Sequence, residues 1–473
     1  MPDFPPPIHP LEKVEPVSYI IFKRDNLIYA KNGRTGEIEF QDEDAATVIQ
    51  QAINALPDGG GKIFIKSGEY NLSTTVTISK TRVDIIGEGK STVLKINGDY
   101  AGIKFYFEST TISMCSVREI KIEGPGTSYV NAHGIVVEKA DRIKIINVRI
   151  TGCRIGILFR RCRGADLILC GIKHCYYGVF AEETEAHAHA ISAYRCWCDT
   201  IEQDGWNLKC CDGVFLFSCT ASGCGRYGFF FGDENTPGNQ SCCVTVVGCT
   251  ADLCGADGFR IEGVDESNKA FSFNLLGAWA SECRIGIVMV HVRNSVISSP
   301  VLSGLDENGI RLDDVNILNI TGGRIASYKE THGAIYATSS NDIHISSVQI
   351  TAGATSAVHA ITLESCDDCY VHGCNLDKDI YTSGTNNKVK HNFPGHITEN
   401  SGTATFSGDG STTQFTIPHG LAAEPTSVNV TPLSPDAARS FYVTKDETNI
   451  YVNYLTPPPE GTDNVVLSWK VEV

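Results

Sequence analysis

Basic residues at matched places in a glycine-rich middle segment could carry an elimination reaction. Lys209, Arg260 and Arg311 each lie a few residues after a glycine, within short apolar stretches. On one surface they could neutralise the carboxylate of a uronate sugar, which acidifies the proton next to it. A base then removes that proton and the 4-O-linked sugar leaves by β-elimination. The candidate bases are Lys209, Arg260 and a histidine of the pair His187 and His189.

Carboxylates in the same segment allow a second reaction, glycoside hydrolysis. That chemistry needs two carboxyl groups about 5–9.5 Å apart, one on each side of the bond. The pair to test is Glu262 with Asp233 or with Asp204, because neighbouring β-strands lie about 4.8 Å apart. Both reactions stay open, and elimination is favoured because basic and acidic residues share the segment.

Four acidic residues could bind a metal ion. Asp233 and Glu234 lie in one glycine-bounded stretch, and Asp265 and Glu266 lie in another. Carboxylate oxygens suit Ca²⁺, which could bridge protein and substrate. A calcium cofactor is one expectation, and a metal-free route is the other.

A repeat must position these residues. It consists of a glycine followed by a short apolar strand, and its anchors are Gly134, Gly156, Gly178, Gly205, Gly228, Gly258, Gly286, Gly309 and Gly333. Successive anchors are 22 to 30 residues apart. Each unit contains two or three strands too short to bury an apolar face alone, whereas stacked units bury a continuous core. The repeat therefore predicts a solenoid with one coil per unit.

The cysteines follow the same repeat. The chain has 19 of them, and an odd number without a secretory signal is typical of reduced thiols. They lie at fixed distances before the anchors: Cys153, Cys175 and Cys283 at three residues, Cys224 and Cys254 at four, and Cys196, Cys219 and Cys249 at nine. We expect these thiols to form ladders inside the coils. Cys366-x-x-Cys369 is interpreted as a further ladder rather than a zinc site.

Three consecutive or nearly consecutive units are longer than the others. Their extra residues, 182–189, 232–240 and 263–269, follow the same strand of the coil each time. Insertions at equivalent turns project from one side of a solenoid. They therefore predict the wall of a groove that runs over the coils from Gly178 to Gly309 and fits a polymer.

Strand alternation predicts which side chains face this groove. If Phe259 and Ile261 point inward, Arg260 and Glu262 point outward. The same register predicts that seven further side chains point outward, namely those of Phe180, Glu182, Asn207, Lys209, Phe230, Arg311 and Asp313. Together with His187 and His189, these residues are the predicted substrate contacts. Phe180 and Phe230 either stack on sugar rings or are covered by their own insertions.

A helix and a glycine turn precede the repeat. Residues 44–56 place Val48, Ile49, Ala52, Ile53 and Leu56 on one helical face behind the N-cap candidate Asp44. The segment GGGKIFIKSGEY at 59–70 and IIGEG at 85–89 follow. Such a helix would cover the open end of a solenoid.

This order of elements resembles the pectin-lyase-like right-handed parallel β-helix superfamily, in particular its pectate-lyase-like and phage tailspike members. The resemblance covers roughly residues 41–395. It implies an all-β fold, a right-handed parallel β-helix solenoid with an N-terminal capping helix. It says little about the reaction, because lyases, hydrolases, epimerases and non-catalytic spikes share the fold.

The superfamily's catalytic motifs are only partly present. Polygalacturonases carry Asn-Thr-Asp-Gly, then Asp-Asp one coil later, then Gly-His-Gly. This chain has Gln203-Asp204-Gly205 and Ala256-Asp257-Gly258 as partial matches to the first motif, and it has no Asp-Asp in the matching next coil. Thr331-His332-Gly333 stands in place of the last motif. The Asp-Pro-His-Glu run of alginate epimerases is absent from the sequence. These differences argue against a polygalacturonase.

The two ends carry other modules. Residues 1–40 are rich in proline and then predict a hairpin around Asp25-Asn26. Residues 396–473 alternate apolar and polar residues and predict a small C-terminal β-sandwich. The stretch at 408–420 resembles C-terminal modules of phage fibres and carbohydrate-active enzymes, which implies attachment, assembly into a homotrimer or sugar binding.

Composition limits the partners. The net charge of −16 argues against binding nucleic acid through general electrostatics. No apolar stretch reaches the roughly 20 residues of a membrane span, and the start lacks the pattern of a secretory signal. We therefore expect a cytoplasmic or virion-associated protein whose partner is a polysaccharide. The resulting hypotheses are a polysaccharide lyase acting on a uronate polymer, a glycoside hydrolase, and a non-catalytic glycan-binding spike or adhesin.

Overall fold

The structure is a computed structural model and describes residues 16–107, 113–182, 188–209, 211–232, 241–326, 328–329, 333–351 and 357–473. The chain divides into two compact units, Met1–Asp306 and Glu307–Val473, and each is described by itself. Both are built almost wholly from β-strands, as the repeat predicts.

The first unit begins with a hairpin and a helix. Tyr19–Arg24 pairs antiparallel with Leu27–Asn32, which pairs with Ile38–Asp42. Helix α1 then spans Ala45–Ala55, and the Asp44 side chain caps it by accepting a hydrogen bond from the Thr47 N–H at 2.9 Å. The predicted hairpin and helix are both confirmed.

Helix α1 covers the edge of the first coil by replacing its missing strand partners. The Thr77 N–H donates to Gln50 Oε1 at 2.8 Å, and Gln50 Nε2 donates to the Thr77 carbonyl at 3.0 Å. The Ser73 N–H donates to Asp44 Oδ1 at 3.0 Å. These contacts satisfy backbone groups that an open strand edge would leave unpaired.

Three columns of parallel strands form the coils of the first unit, and Gly89–Ser91 forms a short 3-10 turn. The first column contains Val76–Ile78, Ile103–Tyr106, His133–Glu138, Ile155–Arg160, Tyr177–Ala181, Trp206–Lys209, Phe229–Gly232, Asp257–Glu262 and the start of Ile285–Ser298. The second contains Gly61–Ile65, Val83–Ile86, Ser116–Arg118, Asp141–Ile146, Arg163–Ile168, Ala188–Tyr194, Cys211–Asp212, Phe215–Phe217, Cys242–Val247, Ala270–Leu276 and the end of Ile285–Ser298. The third contains Gly68–Leu72, Thr92–Ile96, Lys121–Glu123, Arg149–Thr151, Gly171–Lys173, Trp197–Ile201, Thr220–Cys224, Thr250–Asp252, Trp279–Ser281 and Val301–Ser303.

Inward side chains stack on their equivalents in the next coil. Trp206, Phe229 and Phe259 form one such ladder, with ring centroids 6.0 and 4.8 Å apart and nearly parallel planes. All three side chains are buried. This is the continuous core that the repeat predicts.

Cysteines form ladders of their own, with one change from the predicted grouping. Cys196, Cys219 and Cys249 lie in one ladder, and the Cys219 N–H donates to Cys249 Sγ at 3.3 Å. Cys224, Cys254 and Cys283 hydrogen-bond along one row, so the cysteines three and four residues before the anchors do not form separate ladders. Burial keeps such thiols neutral and raises the pKa of Cys162 to about 12.

The predicted Cys366–Cys369 ladder is wrong in detail. The two thiols hydrogen-bond with each other within one coil. Both are buried, so their role in packing agrees with the expectation of core thiols.

The coils bend through residues with left-handed backbone. At the start of the second column, Ala190, Gly213, Cys243 and Ser272 have φ of 53°, 70°, 55° and 61°. Only one of these four is a glycine, although this conformation is costly for side-chain-bearing residues. The stacked coils therefore impose the bend.

The second unit contains three-strand coils of the same kind and a sandwich. Its coil strands are Ile310–Thr321, Arg324–Ala326, Ile335–Thr338, Asn341–Ser346, Gln349–Thr351, His359–Glu364, Tyr370–His372, Asn375–Leu376, Asp379–Thr382, Lys388–Lys390 and Phe393–Pro394. One sandwich sheet orders Glu399–Gly408, Gly461–Glu472 and Ser427–Pro432, and the other orders Gln414–Pro418, Asn449–Tyr454 and Phe441–Lys445. Buried residues of both sheets form one core, which confirms the predicted sandwich.

Candidate functional site

The first column of the first unit carries most of the predicted site residues. Phe259 and Ile261 are buried inside the coil, and Arg260 and Glu262 lie on the opposite side of the strand, so the predicted alternation is confirmed. The register aligns Phe180, Asn207, Phe230 and Arg260. We call the outward side chains of the strands from Ile155–Arg160 to Asp257–Glu262 the outer face.

A second row of the outer face carries charges. Lys209 pairs in register with Gly232, and Gly232 pairs with Glu262. Arg160 forms an ion pair with Glu182 earlier in the same row. The strands of Lys209 and Glu262 are two coils apart, about 9.6 Å. The space beside Gly232 between them is occupied, because Phe230 Cζ and Glu262 Cβ each lie 3.2 Å from the place where a Cβ of Gly232 would be.

Two residues of the outer face are buried, which is one of the two alternatives stated for Phe230 and is contrary to prediction for Asn207. Phe230 is 1 % exposed, and its ring stacks on Tyr227 with centroids 5.6 Å apart. Asn207 is also buried, and its Nδ2 donates to Asp204 at 2.6 Å. Phe180 is half-buried, and the centroid of its ring lies 4.8 Å from that of the Tyr177 ring. Phe230 and Asn207 therefore contact neighbouring side chains on the same face.

Asp204 is 0 % exposed and binds an arginine of the next coil. Arg226 donates from Nε at 2.8 Å and from Nη2 at 2.5 Å, and the Tyr227 N–H donates at 3.1 Å. The side-chain hydrogen bonding between Arg226 and Asp204 raises the pKa of Arg226. A buried carboxylate needs such partners. The expectation that Asp204 faces a substrate as a catalytic acid is therefore wrong.

Asp257 repeats this arrangement and extends it to the surface. Arg284 of the next coil donates to it at 2.9 Å, and Arg260 Nη1 donates at 3.1 Å. Arg260 Nε also donates to Glu262 at 2.8 Å, and the guanidinium lies 5.5 Å from the centre of the Tyr227 ring. The side chains of Arg260 and Glu262 are 18 % and 29 % exposed.

The electrostatics of Arg260 fix its role. Burial opposes its charge, but the hydrogen bond with Glu262 and the charge of Asp257 raise its pKa overall. An arginine held in this way stays protonated and cannot accept a proton. The prediction of Arg260 as a base is therefore wrong, whereas its use in neutralising a carboxylate stays a prediction.

One sequence signal for these pairs was missed. In both cases Asp-Gly in one coil precedes Arg-x-Gly in the next: Asp204 with Arg226, and Asp257 with Arg284. The repeat spacing alone could have predicted this pairing.

The ends of the longer turns are stacked, as predicted. His189, Asp212, Cys242 and Phe271 align in register where the chain enters the second column. His189 Nδ1 lies 3.4 Å from Asp212 Oδ2, and both side chains are half-exposed. Most residues of the first two turns, including His187, Asp233 and Glu234, lie outside the described residues.

The third long turn is described and organised by Asp265. Its carboxylate accepts from the Ser267 N–H at 2.8 Å and from the Asn268 N–H at 2.9 Å. These hydrogen bonds lower the pKa of Asp265. Glu266 is exposed. A Ca²⁺ site that shares these residues with Asp233 and Glu234 stays a prediction.

Arg311 and Asp313 belong to the second unit. Arg311 Nε donates to Asp313 at 3.1 Å, and its guanidinium lies 5.9 Å from the centre of the Tyr336 ring. Their use as substrate contacts stays a prediction.

Comparisons with known proteins agree with this architecture. A family model described as a right-handed β-helix region matches residues 133–276. The A-module of mannuronan C-5 epimerase AlgE6 from Azotobacter vinelandii is 15 % identical, with a TM-score of 0.54 over 74 % of this chain and 96 % of that one. The receptor-binding protein of bacteriophage Det7, a podoviral tailspike in a myovirus, is 10 % identical, with a TM-score of 0.54 over 78 % of this chain and 77 % of that one. No curated protein matches.

The chain is therefore a right-handed parallel β-helix protein. Its resemblance to the pectin-lyase-like superfamily is confirmed at the level of the fold. Among the described residues, no helix is long and apolar enough to cross a membrane.

Proposed function

We propose that the outer face binds a uronate-containing polysaccharide and cleaves it by β-elimination. The observation that carries this proposal is the row of Lys209, Gly232 and Glu262 beside Arg260. It offers a lysine and a permanently charged guanidinium on one side of an otherwise acidic chain, whose net charge is −16. An anionic polymer needs local cations on such a protein, and in this proposal the sugar carboxylate replaces Glu262 as the partner of Arg260.

The two cations have different roles in this proposal. Arg260 stays protonated, so it neutralises the sugar carboxylate and stabilises the negative charge that develops when the neighbouring proton leaves. Lys209 is the base that removes this proton.

The comparisons support the choice of polymer without deciding the reaction. The Azotobacter enzyme is named as an epimerase of mannuronan at C-5. Epimerisation and β-elimination of a uronate both begin with removal of the proton next to the carboxylate. The Det7 protein is named as a receptor-binding tailspike, and its likeness keeps glycan binding without cleavage as the alternative.

Incubation with a panel of uronate and neutral glycans tests the proposal. New ultraviolet absorbance from an unsaturated product supports elimination. Reducing ends without that absorbance would replace it with hydrolysis, and binding without either product would leave a spike or adhesin. Chelation during the assay separates a Ca²⁺-assisted route from a metal-free one.

A matched pair of lysine variants tests the assigned base. We expect Lys209→Gln to lower kcat at least about 100-fold, because general-base catalysis contributes about 10²–10⁴-fold. The control is Lys173→Gln, since Lys173 lies in the third column and pairs with Asp199 at 2.8 Å. Equal kcat values for the two variants would remove Lys209 from the mechanism.

A further inference from the structure

Three side chains of the types that can bind a metal ion lie close together at the start of the second column. One potential ligand atom from each of Asp212, Cys242 and Cys243 lies within 4.8 Å of the others. The closest pair is Cys242 Sγ and Asp212 Oδ1, 3.3 Å apart. Among the described residues, this is the one group of three or more His, Cys, Asp or Glu side chains whose potential ligand atoms all lie within 4.8 Å of one another.

The fold brings these side chains together by coil stacking and a backbone bend. Asp212 and Cys242 are register partners in neighbouring coils. Cys243 follows in the left-handed conformation, with φ of 55°, and its side chain is exposed. A regular strand would turn successive side chains to opposite faces. The bend explains why both neighbouring thiols reach the same carboxylate.

Core packing does not account for these two thiols. The other sixteen described cysteines are buried, whereas Cys242 is half-buried and Cys243 is exposed. An exposed thiol gains nothing from the ladder packing that holds the rest. The pair therefore calls for a different explanation from the other cysteines.

A histidine orients the carboxylate from its other side. His189 is the register partner of Asp212 in the preceding coil, and its Nδ1 lies 3.4 Å from Asp212 Oδ2. Asp212 Oδ1 thus faces Cys242, while Asp212 Oδ2 faces His189. Carboxylates that bind metals usually have such an outer partner, which fixes their orientation.

We propose that Asp212, Cys242 and Cys243 bind a zinc ion, with His189 as the residue that positions Asp212. Two thiolates select Zn²⁺ over a hard cation such as Ca²⁺, which takes six to eight oxygens. Zinc bond lengths of about 2.0–2.3 Å set ligand atoms roughly 3.5–3.8 Å apart in a tetrahedron. The 3.3 Å contact is close to that spacing, and the remaining contacts need to shorten by at most about 1.3 Å. Water takes the fourth position, on the exposed side of Cys243.

Metal analysis of the full-length chain tests this site. The protein is stripped with a chelator under reducing conditions, dialysed against Zn²⁺ alone and measured for metal content. We expect one zinc per chain, and we expect Co²⁺ in its place to give the absorbance of thiolate-to-cobalt charge transfer. A chain that retains no zinc, or that binds Co²⁺ without this absorbance, would overturn the proposal.

Variants locate the metal. We expect Cys243→Ser and Asp212→Asn each to weaken zinc binding at least 100-fold, and His189→Gln to weaken it about 10–100-fold. The control is Asp166→Asn, because Asp166 lies in a second-column strand without being part of the cluster. Cys243 is exposed, so its variant should fold, and an unchanged metal-free Tm checks this. Zinc binding that survives both ligand variants would place the metal elsewhere. These readouts do not depend on glycan cleavage, so this proposal and the proposed function can fail separately.

Discussion

Buried carboxylates are costly, and the coils satisfy Asp204 and Asp257 with an arginine supplied by the following coil. Each pair links two coils at a place where the strand is bordered by glycine. The arginines cannot move toward a substrate without leaving a buried charge unpaired. We therefore interpret Asp204, Arg226, Asp257 and Arg284 as the frame that holds Tyr227 and Arg260, rather than as reacting groups.

Substitution of Asp204 tests this interpretation. Asp204→Ala leaves Arg226 without its carboxylate, and we expect a loss of about 3 kcal/mol in the free energy of unfolding. The matched change Asp199→Ala removes a pair with Lys173 in which both side chains are more than a third exposed, and should cost about 0–1 kcal/mol. Urea titrations measure both. Similar losses for the two variants would contradict the interpretation that the buried pair of Asp204 and Arg226 stabilises the coils.

Strand alternation in the sequence was enough to find the inner and outer faces of the first column. It could not decide whether Phe230 is covered or predict that Asn207 is buried, because both depend on contacts with Tyr227 and Asp204, which lie elsewhere on the same face. The arginine that completes each aspartate was predictable, because Asp-Gly in one coil and Arg-x-Gly in the next recur at the repeat spacing. The base stays a prediction, and so does the Ca²⁺ site, because Asp233 and Glu234 lie outside the described residues.

At the scale of elements, helix α1 acts as a substitute strand for the first coil. Asp44 serves both the helix and the coil, since it accepts from the Thr47 and Ser73 N–H groups. Burial works against its charge, but these hydrogen bonds lower the pKa of Asp44 overall, below its ordinary value of 3.8. Because the pKa is lowered in the folded state, the stabilisation is present above the ordinary value and is lost as the pH falls through the folded value.

The contribution of the Asp44 carboxylate to stability can therefore be tested by measuring unfolding at different pH values. We expect Asp44→Ala to cost about 0.5–2 kcal/mol at neutral pH. The difference from the native chain should shrink once the pH falls below about 3.8, where the carboxyl begins to protonate. Asp58→Ala, beyond the end of the helix, serves as the control and should change little at any pH. A cost for Asp44→Ala that does not vary with pH would mean that its charge contributes nothing.

At the scale of the whole molecule, the cysteines separate into two chemical classes. The buried thiols lie in the coils, and burial raises the pKa of Cys115 to about 11 and that of Cys162 to about 12. A thiol reacts as the thiolate and only where a reagent reaches it, so these groups should be inert in the folded protein. The solenoid thus explains a cysteine-rich chain without disulfides among its described residues.

Alkylation of the native protein, followed by mass spectrometry of its peptides, distinguishes the two classes. Of the eighteen described cysteines, we expect Cys243 to react first, Cys242 more slowly, and the buried sixteen only after denaturation. Zn²⁺ added beforehand should protect Cys243 if the metal site forms, whereas Ca²⁺ should not. Rapid labelling of Cys196 or Cys219 in the native state would show that the ladders open easily. That result would contradict the view that matched side chains in successive coils form one continuous core.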